Sequence, residues 1–261
     1  MLKDITVGQY IYGKSPLHCM EAWVKILLTI AYAAVLFFIK TPLAYAVYTV
    51  FTAVVIRISN VPLKMLVRGL RPLIPIFIAT AFFDLFFTEG QTLVSLWHIR
   101  VTAEGIANTA QTALRLVLLI FGCSLLTLTT TPLALTDGIE KLLSPLSLIR
   151  VPVSDIAMMM SIALRFIPTI AEEADRLIKA QKARGADMES GGVIRRAMAI
   201  MPIIVPLLAG VFRRADVLAS AMDARCYGFG RRTRMKETHA GRLDALAAAV
   251  FAAAAAAAIV V

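Results

Sequence analysis

Residues 174–185 read ADRLIKAQKARG, and residues 215–226 read ADVLASAMDARC. A shift of 41 positions aligns the Ala-Asp pair, a leucine, an alanine and the Ala-Arg pair of the two segments. A repeat of this period is typical of a helical supersecondary unit that occurs twice. We therefore predict two related helices, with the rest of the chain as their support.

Both segments have the composition of a helix that ends at a glycine. They are rich in Ala, Leu, Met, Lys and Arg, which favour helix. Gly185 and the pair at 191–192 follow the first segment, and Gly228 and Gly230 follow the second. Glycines in these places predict helix ends, so each helix carries one arginine in its last turn.

The two terminal arginines, Arg184 and Arg225, have two explanations. A cation in the last turn interacts favourably with the negative end of the helix dipole. A guanidinium also presents five fixed donors to carboxylates or carbonyls in a groove, and the neighbouring alanines allow close approach. The second explanation predicts a pair of helix tips that insert into a pair of sockets on a partner.

The two long helices are predicted to change character along their length. The first, from about residue 154 to 184, spans about 45 Å at 1.5 Å per residue. Pro168 is expected to bend it. Its first half is apolar, as are residues 197–212 of the second, and the remainder of each is charged. Such a helix lies in a membrane or against a protein at one end and projects into water at the other. The methionines at 158–160 favour either an adaptable contact surface or packing between the two helices.

The composition indicates a membrane protein. The 261 residues are 59% hydrophobic with a mean hydropathy of +0.78 and a formal charge of +10. Basic excess in such a chain belongs in cytoplasmic loops, and no separate basic domain for nucleic acid is visible. The three cysteines and three histidines lack metal-site spacing, so no metal site is predicted.

The apolar runs predict an all-α membrane protein with about five transmembrane helices. Spans at about 22–39, 43–56, 73–87 and 106–128 form a membrane domain of residues 1–128. Residues 129–241 form a cytosolic coupling domain of one short and two long helices, and 242–261 form the last span. Residues 57–72 carry four basic and no acidic side chains, which predicts a cytoplasmic loop and a cytoplasmic N-terminus. The first run is expected to stay as a membrane helix rather than be cleaved.

Several local features add smaller predictions. Asp84 is expected near the outer interface. Arg115 at mid-depth is expected to pair with a polar neighbour, with Asp84 as one candidate, or to face the bundle interior. Partial alternation over 93–101 suggests a short extended segment or a re-entrant piece. Thr131 and Pro132 are expected to open an amphipathic helix that reaches Leu143.

No catalytic motif is visible. The chain has no phosphate-binding glycine loop, nucleophile elbow, zinc-binding helix motif or dinucleotide fingerprint. We therefore predict a subunit without catalysis or a bound cofactor of its own. One alternative is a membrane-embedded enzyme using Asp84, Glu104 and Arg115. Another is a conventional ABC permease that lines the path itself, although two tips in one chain favour a single copy in a heteromeric assembly.

Three strings resemble one known family. These are ALRFIP at 163–168, AQKARG at 180–185 and MDARCYG at 222–228. They resemble the transmembrane T component (EcfT) of energy-coupling factor transporters, which carries two Ala-Arg-Gly boxes at the tips of two long cytosolic helices. This chain keeps the first box and has Cys226 where the second usually has glycine. Cysteine reaches positive φ less readily than glycine, so the backbone after Arg225 is an open question.

The resemblance implies partners and site residues. The partners are two ABC ATPases (EcfA and EcfA′) that bind ATP and Mg, a substrate-capturing membrane S component, and the lipid of a prokaryotic plasma membrane. The transported substrate is a vitamin or another micronutrient, with cobalt, nickel or biotin modules left open. The implied ATPase-coupling residues are Ala183, Arg184, Gly185, Ala224, Arg225 and Cys226. The expected S-component contacts are Met158, Met159, Met160, Leu164, Pro168, Pro202 and Pro206.

Overall fold

The chain folds as two compact units. The computed structural model describes residues 10–39, 41–87, 92–96, 99–186, 192–228 and 241–260. Residues 8–154 and 238–261 form one unit, which we call the bundle unit. Residues 155–237, with 1–7, form the other, which we call the long-helix unit.

The described part of the bundle unit consists of helices and a pair of short strands. Its described elements are α1 (Pro16–Cys19), α2 (Ala22–Phe38), α3 (Pro42–Ser59), α4 (Leu63–Leu70), a 3₁₀ turn (Arg71–Leu73), α5 (Ile74–Phe87), β1 (Thr92–Leu96), β2 (Ile99–Thr102), α6 (Ala103–Thr129), α7 (Pro132–Leu143), a 3₁₀ turn (Ser144–Ile149) and α10 (Arg242–Val260). The strands β1 and β2 pair antiparallel, with Leu96 opposite Ile99. The described residues of the alternating stretch 93–101 therefore lie in two paired strands, and residues 97–98 lie outside the described residues.

The core of the bundle unit lies where α2, α3, α6 and α10 meet. Tyr32 and Tyr48 are buried there and stack with ring centroids 5.0 Å apart. The Tyr32 hydroxyl lies 2.8 Å from Thr52 Oγ1 and donates to the Leu118 carbonyl at 3.1 Å. These contacts fix the Tyr32 ring, because a buried hydroxyl needs its hydrogen bonds.

Buried polar groups join the helix ends on one side of this unit. Lys25 Nζ donates to the Thr129 carbonyl at 3.2 Å, which ties the start of α2 to the end of α6. Asp244 accepts from the backbone N–H of Glu21 at 3.1 Å and of Gly241 at 2.8 Å, which ties α10 to the same place. Each contact satisfies polar groups that burial would otherwise leave unpaired.

Helix α7 starts as predicted and packs on α2. The Thr131 side chain accepts from the Ala134 N–H at 3.2 Å, and Pro132 is the first helical residue. A Cβ at Gly138 would lie 2.9 Å from the Trp23 backbone N, so the two helices approach closely at this glycine. Helix α7 therefore belongs to the bundle unit. The predicted bounds 129–241 group it with the long helices, and those bounds stay a prediction.

Arg115 has a polar neighbour inside the bundle unit, as predicted. Its Nε donates to the Tyr45 hydroxyl at 2.9 Å, and a terminal nitrogen donates to the Ile39 carbonyl at 3.3 Å. These described contacts go to α3 and to the end of α2 rather than to Asp84. The structure thus does not bring Asp84 and Arg115 together as an embedded catalytic pair, and the Glu104 side chain lies outside what the structure describes.

The predicted fold class, an all-α membrane protein, is confirmed. In the described chain, six helical segments are long and apolar enough to cross a membrane: 42–59, 63–84, 105–129, 153–183, 198–223 and 242–259. Helix α2 is apolar but has 17 residues. Length and composition therefore admit both long helices in addition to the predicted spans, and the count of five spans stays a prediction.

Candidate helix-tip interface

Two helices of equal length make up the described part of the long-helix unit. Helix α8 runs from Val153 to Ala183 and α9 from Val193 to Asp223, each with 31 residues. Both continue through internal prolines, Pro168 in α8 and Pro202 and Pro206 in α9. Prolines inside a helix are compatible with its continuation when other residues carry the neighbouring hydrogen bonds.

The first helix ends in a Schellman motif. The Gly185 N–H donates to the Lys182 carbonyl, and the Ala186 N–H reaches back to the Gln181 carbonyl, both at 3.0 Å. Gly185 has φ +83°, the left-handed conformation that this motif requires at the residue after the cap. Arg184 is the cap residue, so its side chain leaves the helix where the chain turns away.

The second helix ends in the same motif, 41 residues later. The Cys226 N–H donates to the Asp223 carbonyl at 2.9 Å, and the Tyr227 N–H donates to the Met222 carbonyl at 3.0 Å. Cys226 has φ +57°. The open question at this position is therefore answered: the cysteine adopts the left-handed conformation that glycine has in the first copy. The helix turns at Cys226, ahead of the predicted break at Gly228.

The side chains at both tips are accessible. All six predicted coupling residues, which are Ala183, Arg184, Gly185, Ala224, Arg225 and Cys226, are exposed. The structure thus brings each arginine to an exposed helix end in an equivalent backbone setting. Their role in binding a partner stays a prediction.

The two helices touch at a charged pair that the sequence reasoning missed. Arg214 on α9 forms an ion pair with Glu173 on α8, at 2.6 Å between nitrogen and oxygen. A Cβ at Gly210, one turn earlier on α9, would lie 3.2 Å from Glu173 Oε1. The small residue therefore leaves room for the carboxylate between the helices. A signal was present, because 173 and 214 also differ by 41, the period of the repeat.

The apolar halves of α8 and α9 are largely uncovered. Among the predicted S-component contacts, Met158 and Leu164 are half-buried, whereas Met159, Met160, Pro168, Pro202 and Pro206 are exposed. Large apolar side chains that the sequence reasoning did not single out share this exposure: Met198, Met201, Val205, Leu208 and Phe212. Exposed apolar area on this scale indicates a lipid or protein contact.

Comparison with known proteins decides the family. The profile of the cobalt transport protein family CbiQ matches residues 13–237. Curated relatives named energy-coupling factor transporter transmembrane protein EcfT match over most of both chains. That of Ruminiclostridium cellulolyticum is 48% identical over 247 residues, which are 94% of this chain and 92% of the relative. The chain belongs to the CbiQ/EcfT family.

A second EcfT relative supports the same assignment. The protein of Clostridium kluyveri is 49% identical over 250 residues, which cover 95% of this chain and 93% of the relative. The predicted resemblance to EcfT is confirmed. As an EcfT protein, the chain is the transmembrane component of an energy-coupling factor transporter, and its helix ends at 184 and 225 are the boxes on which that resemblance was based.

Proposed function

We propose that this EcfT protein couples ATP hydrolysis by two partner ABC ATPases to the reorientation of a membrane S component that captures a vitamin or another micronutrient. The chain itself performs no catalysis, and ATP and Mg²⁺ bind to the ATPases. The chain crosses the plasma membrane of a prokaryotic cell several times, and its N-terminus and the predicted coupling domain of residues 129–241 face the cytoplasm.

One observation carries this proposal: the two exposed arginines end two helices in the same way. Eleven residues separate Glu173 from Arg184 and Arg214 from Arg225. At 1.5 Å per residue, each tip therefore lies about 16 Å along its helix from the ion pair where the helices touch. Helix segments of equal length on either side of one contact suit a subunit that receives motion from two similar subunits. If each arginine only stabilised its own helix dipole, neither the equal segment lengths nor the matching caps would be needed.

The apolar halves of the same helices supply the other end of the coupling. Met159 is 61% exposed on α8, and Phe212 is 67% exposed on α9. Methionine adapts to different partner shapes because its side chain is flexible and polarisable. A surface of this kind suits an S component that binds, turns and is exchanged, whereas the arginine ends suit a polar socket.

Charge reversal at each tip tests the proposal. Arg184→Glu and Arg225→Glu are made singly in the full complex, and ATPase co-purification and ATP-driven uptake into proteoliposomes are measured. Loss of a desolvated guanidinium contact weakens binding by about 2–5 kcal/mol. ATPase binding or uptake should therefore fall at least tenfold in each variant.

Matched controls lie on the same helices, away from the tips. Arg176→Glu on α8 and Arg213→Glu on α9 reverse exposed arginines and should keep both activities. Arg176 has a 3.7 Å ion pair with Glu172, but both side chains are more than two thirds exposed, so this pair contributes little. Unchanged co-purification and uptake in both tip variants would overturn the proposal.

A further inference from the structure

The two helix tips share a backbone but not a charge. The ten residues that end with the first Schellman motif, 177–186, carry three basic side chains and no acidic one: Lys179, Lys182 and Arg184. The equivalent residues 218–227 carry Asp223 and Arg225. The formal charge is thus +3 at the first tip and zero at the second. Because the hydrogen bonds of the two motifs match, this difference is one of side chains presented on the same scaffold.

The largest contrast falls two residues before each arginine. Lys182 and Asp223 occupy the same place in the repeat, and each supplies the carbonyl that accepts from the left-handed residue. Both residues are exposed. Because this position lies in the last turn, two residues before the arginine, a socket that encloses the end of the helix also meets it.

The stability of α9 does not account for Asp223. A carboxylate in the last turn of a helix faces the negative end of the helix dipole, which is unfavourable, whereas Lys182 at the same place in α8 is favourable. The second tip also holds Cys226 at φ +57° where the first has a glycine. The second tip therefore has two locally destabilising features that the first tip lacks. Their presence points to selection by a partner.

We propose that Lys182 and Asp223 decide which ATPase each tip binds. This inference rests on the proposed function and names its partner surfaces. The first tip fits a socket that carries a carboxylate next to the arginine site. The second fits a socket that carries a cation there. If the two ATPases exchanged places, like charges would face each other at both tips, and this repulsion excludes that arrangement. A single copy of this chain therefore determines which of two non-identical ATPases binds at each tip.

Photo-crosslinking in the full complex tests the assignment. p-Benzoylphenylalanine is placed at residue 186 or at residue 227, which are equivalent positions just past the left-handed residues, and the captured ATPase is identified by mass spectrometry. Each position should capture a different ATPase in about tenfold excess, the factor that 1.4 kcal/mol produces. The charge exchange Lys182→Asp with Asp223→Lys should abolish or reverse that preference.

A matched exchange controls for altered charge as such. Glu172 and Arg213 also occupy equivalent positions with opposite charges, and both are exposed. Glu172→Arg with Arg213→Glu lies twelve residues from the tip arginines and should leave the preference intact. If the tip exchange prevents assembly, the neutral variants Lys182→Met and Asp223→Asn replace it, and each should reduce the preference of its own tip.

The outcomes separate the two proposals. An unchanged preference in the tip exchange or in both neutral variants overturns the selection by charge, and so does an equal shift in the control exchange. If neither position captures an ATPase in the unaltered complex and both arginine reversals are silent, the proposed function is overturned as well.

Discussion

Glu173 and Arg214 occupy the same position in the two copies of the repeat, and their side chains meet at 2.6 Å. Contact between equivalent residues is what a two-fold relation between two helices produces near its axis. The contact is also the point from which both tips are eleven residues away. The charge difference at this position makes the contact attractive, since two identical residues there would present like charges to each other.

Charge reversal of one partner should weaken this contact, and exchange of both should restore it. Glu173→Arg places two arginines together and Arg214→Glu two glutamates, whereas the double variant keeps one of each. Both side chains are about one third exposed, so solvent screening limits the coupling energy to about 1 kcal/mol. A double-mutant cycle on the thermal stability of the purified protein measures it. The cycle of the neighbouring exposed residues Glu172 and Arg213 should give no coupling, and an equal value there would contradict the assignment.

The left-handed residue at the second tip predicts opposite effects of two reciprocal substitutions. Cys226→Gly should stabilise the cap and Gly185→Cys should destabilise its counterpart, each by up to about 1 kcal/mol, because a side chain at positive φ meets the following carbonyl. Amide hydrogen exchange of residues 220–228 and 179–187 reports the local opening. Protection should rise up to about fivefold in the first variant and fall in the second. Changes of the same sign in both variants would be incompatible with strain at Cys226.

Two glycines of the bundle unit should differ in how well they tolerate substitution by alanine. A Cβ at Gly122 would lie 2.5 Å from Tyr32 Cε1, and that ring is held by its stacking and hydrogen bonds. Gly122→Ala should therefore cost about 1–3 kcal/mol through overpacking. At Gly69 the nearest atom is Ser124 Oγ at 3.5 Å, an ordinary contact, so Gly69→Ala should be neutral or stabilising. Thermal denaturation in detergent compares the two, and equal midpoints would show that the Tyr32 ring moves freely.

Two charged side chains of the bundle unit are buried and have a structural role. Lys25 is 7% exposed and Asp244 is 4% exposed, and both join helix ends inside the bundle unit. The sequence alone predicts no such contact for Lys25. Its partner lies 104 residues away, at the end of α6. A hydrogen bond over that separation leaves no local pattern, since the intervening spans determine whether the two ends meet.

Local patterns in the sequence determined the helical elements, the two tips and the family. Helix propensity, glycine breakers and the 41-residue repeat act over a few turns, so they can be read without the fold. The tertiary structure decided that Glu173 meets Arg214, that Arg115 contacts Tyr45 and that Cys226 takes the left-handed conformation. Each of these depends on how distant segments or successive turns are placed in space, and side-chain contacts between helices are set by packing rather than by propensity.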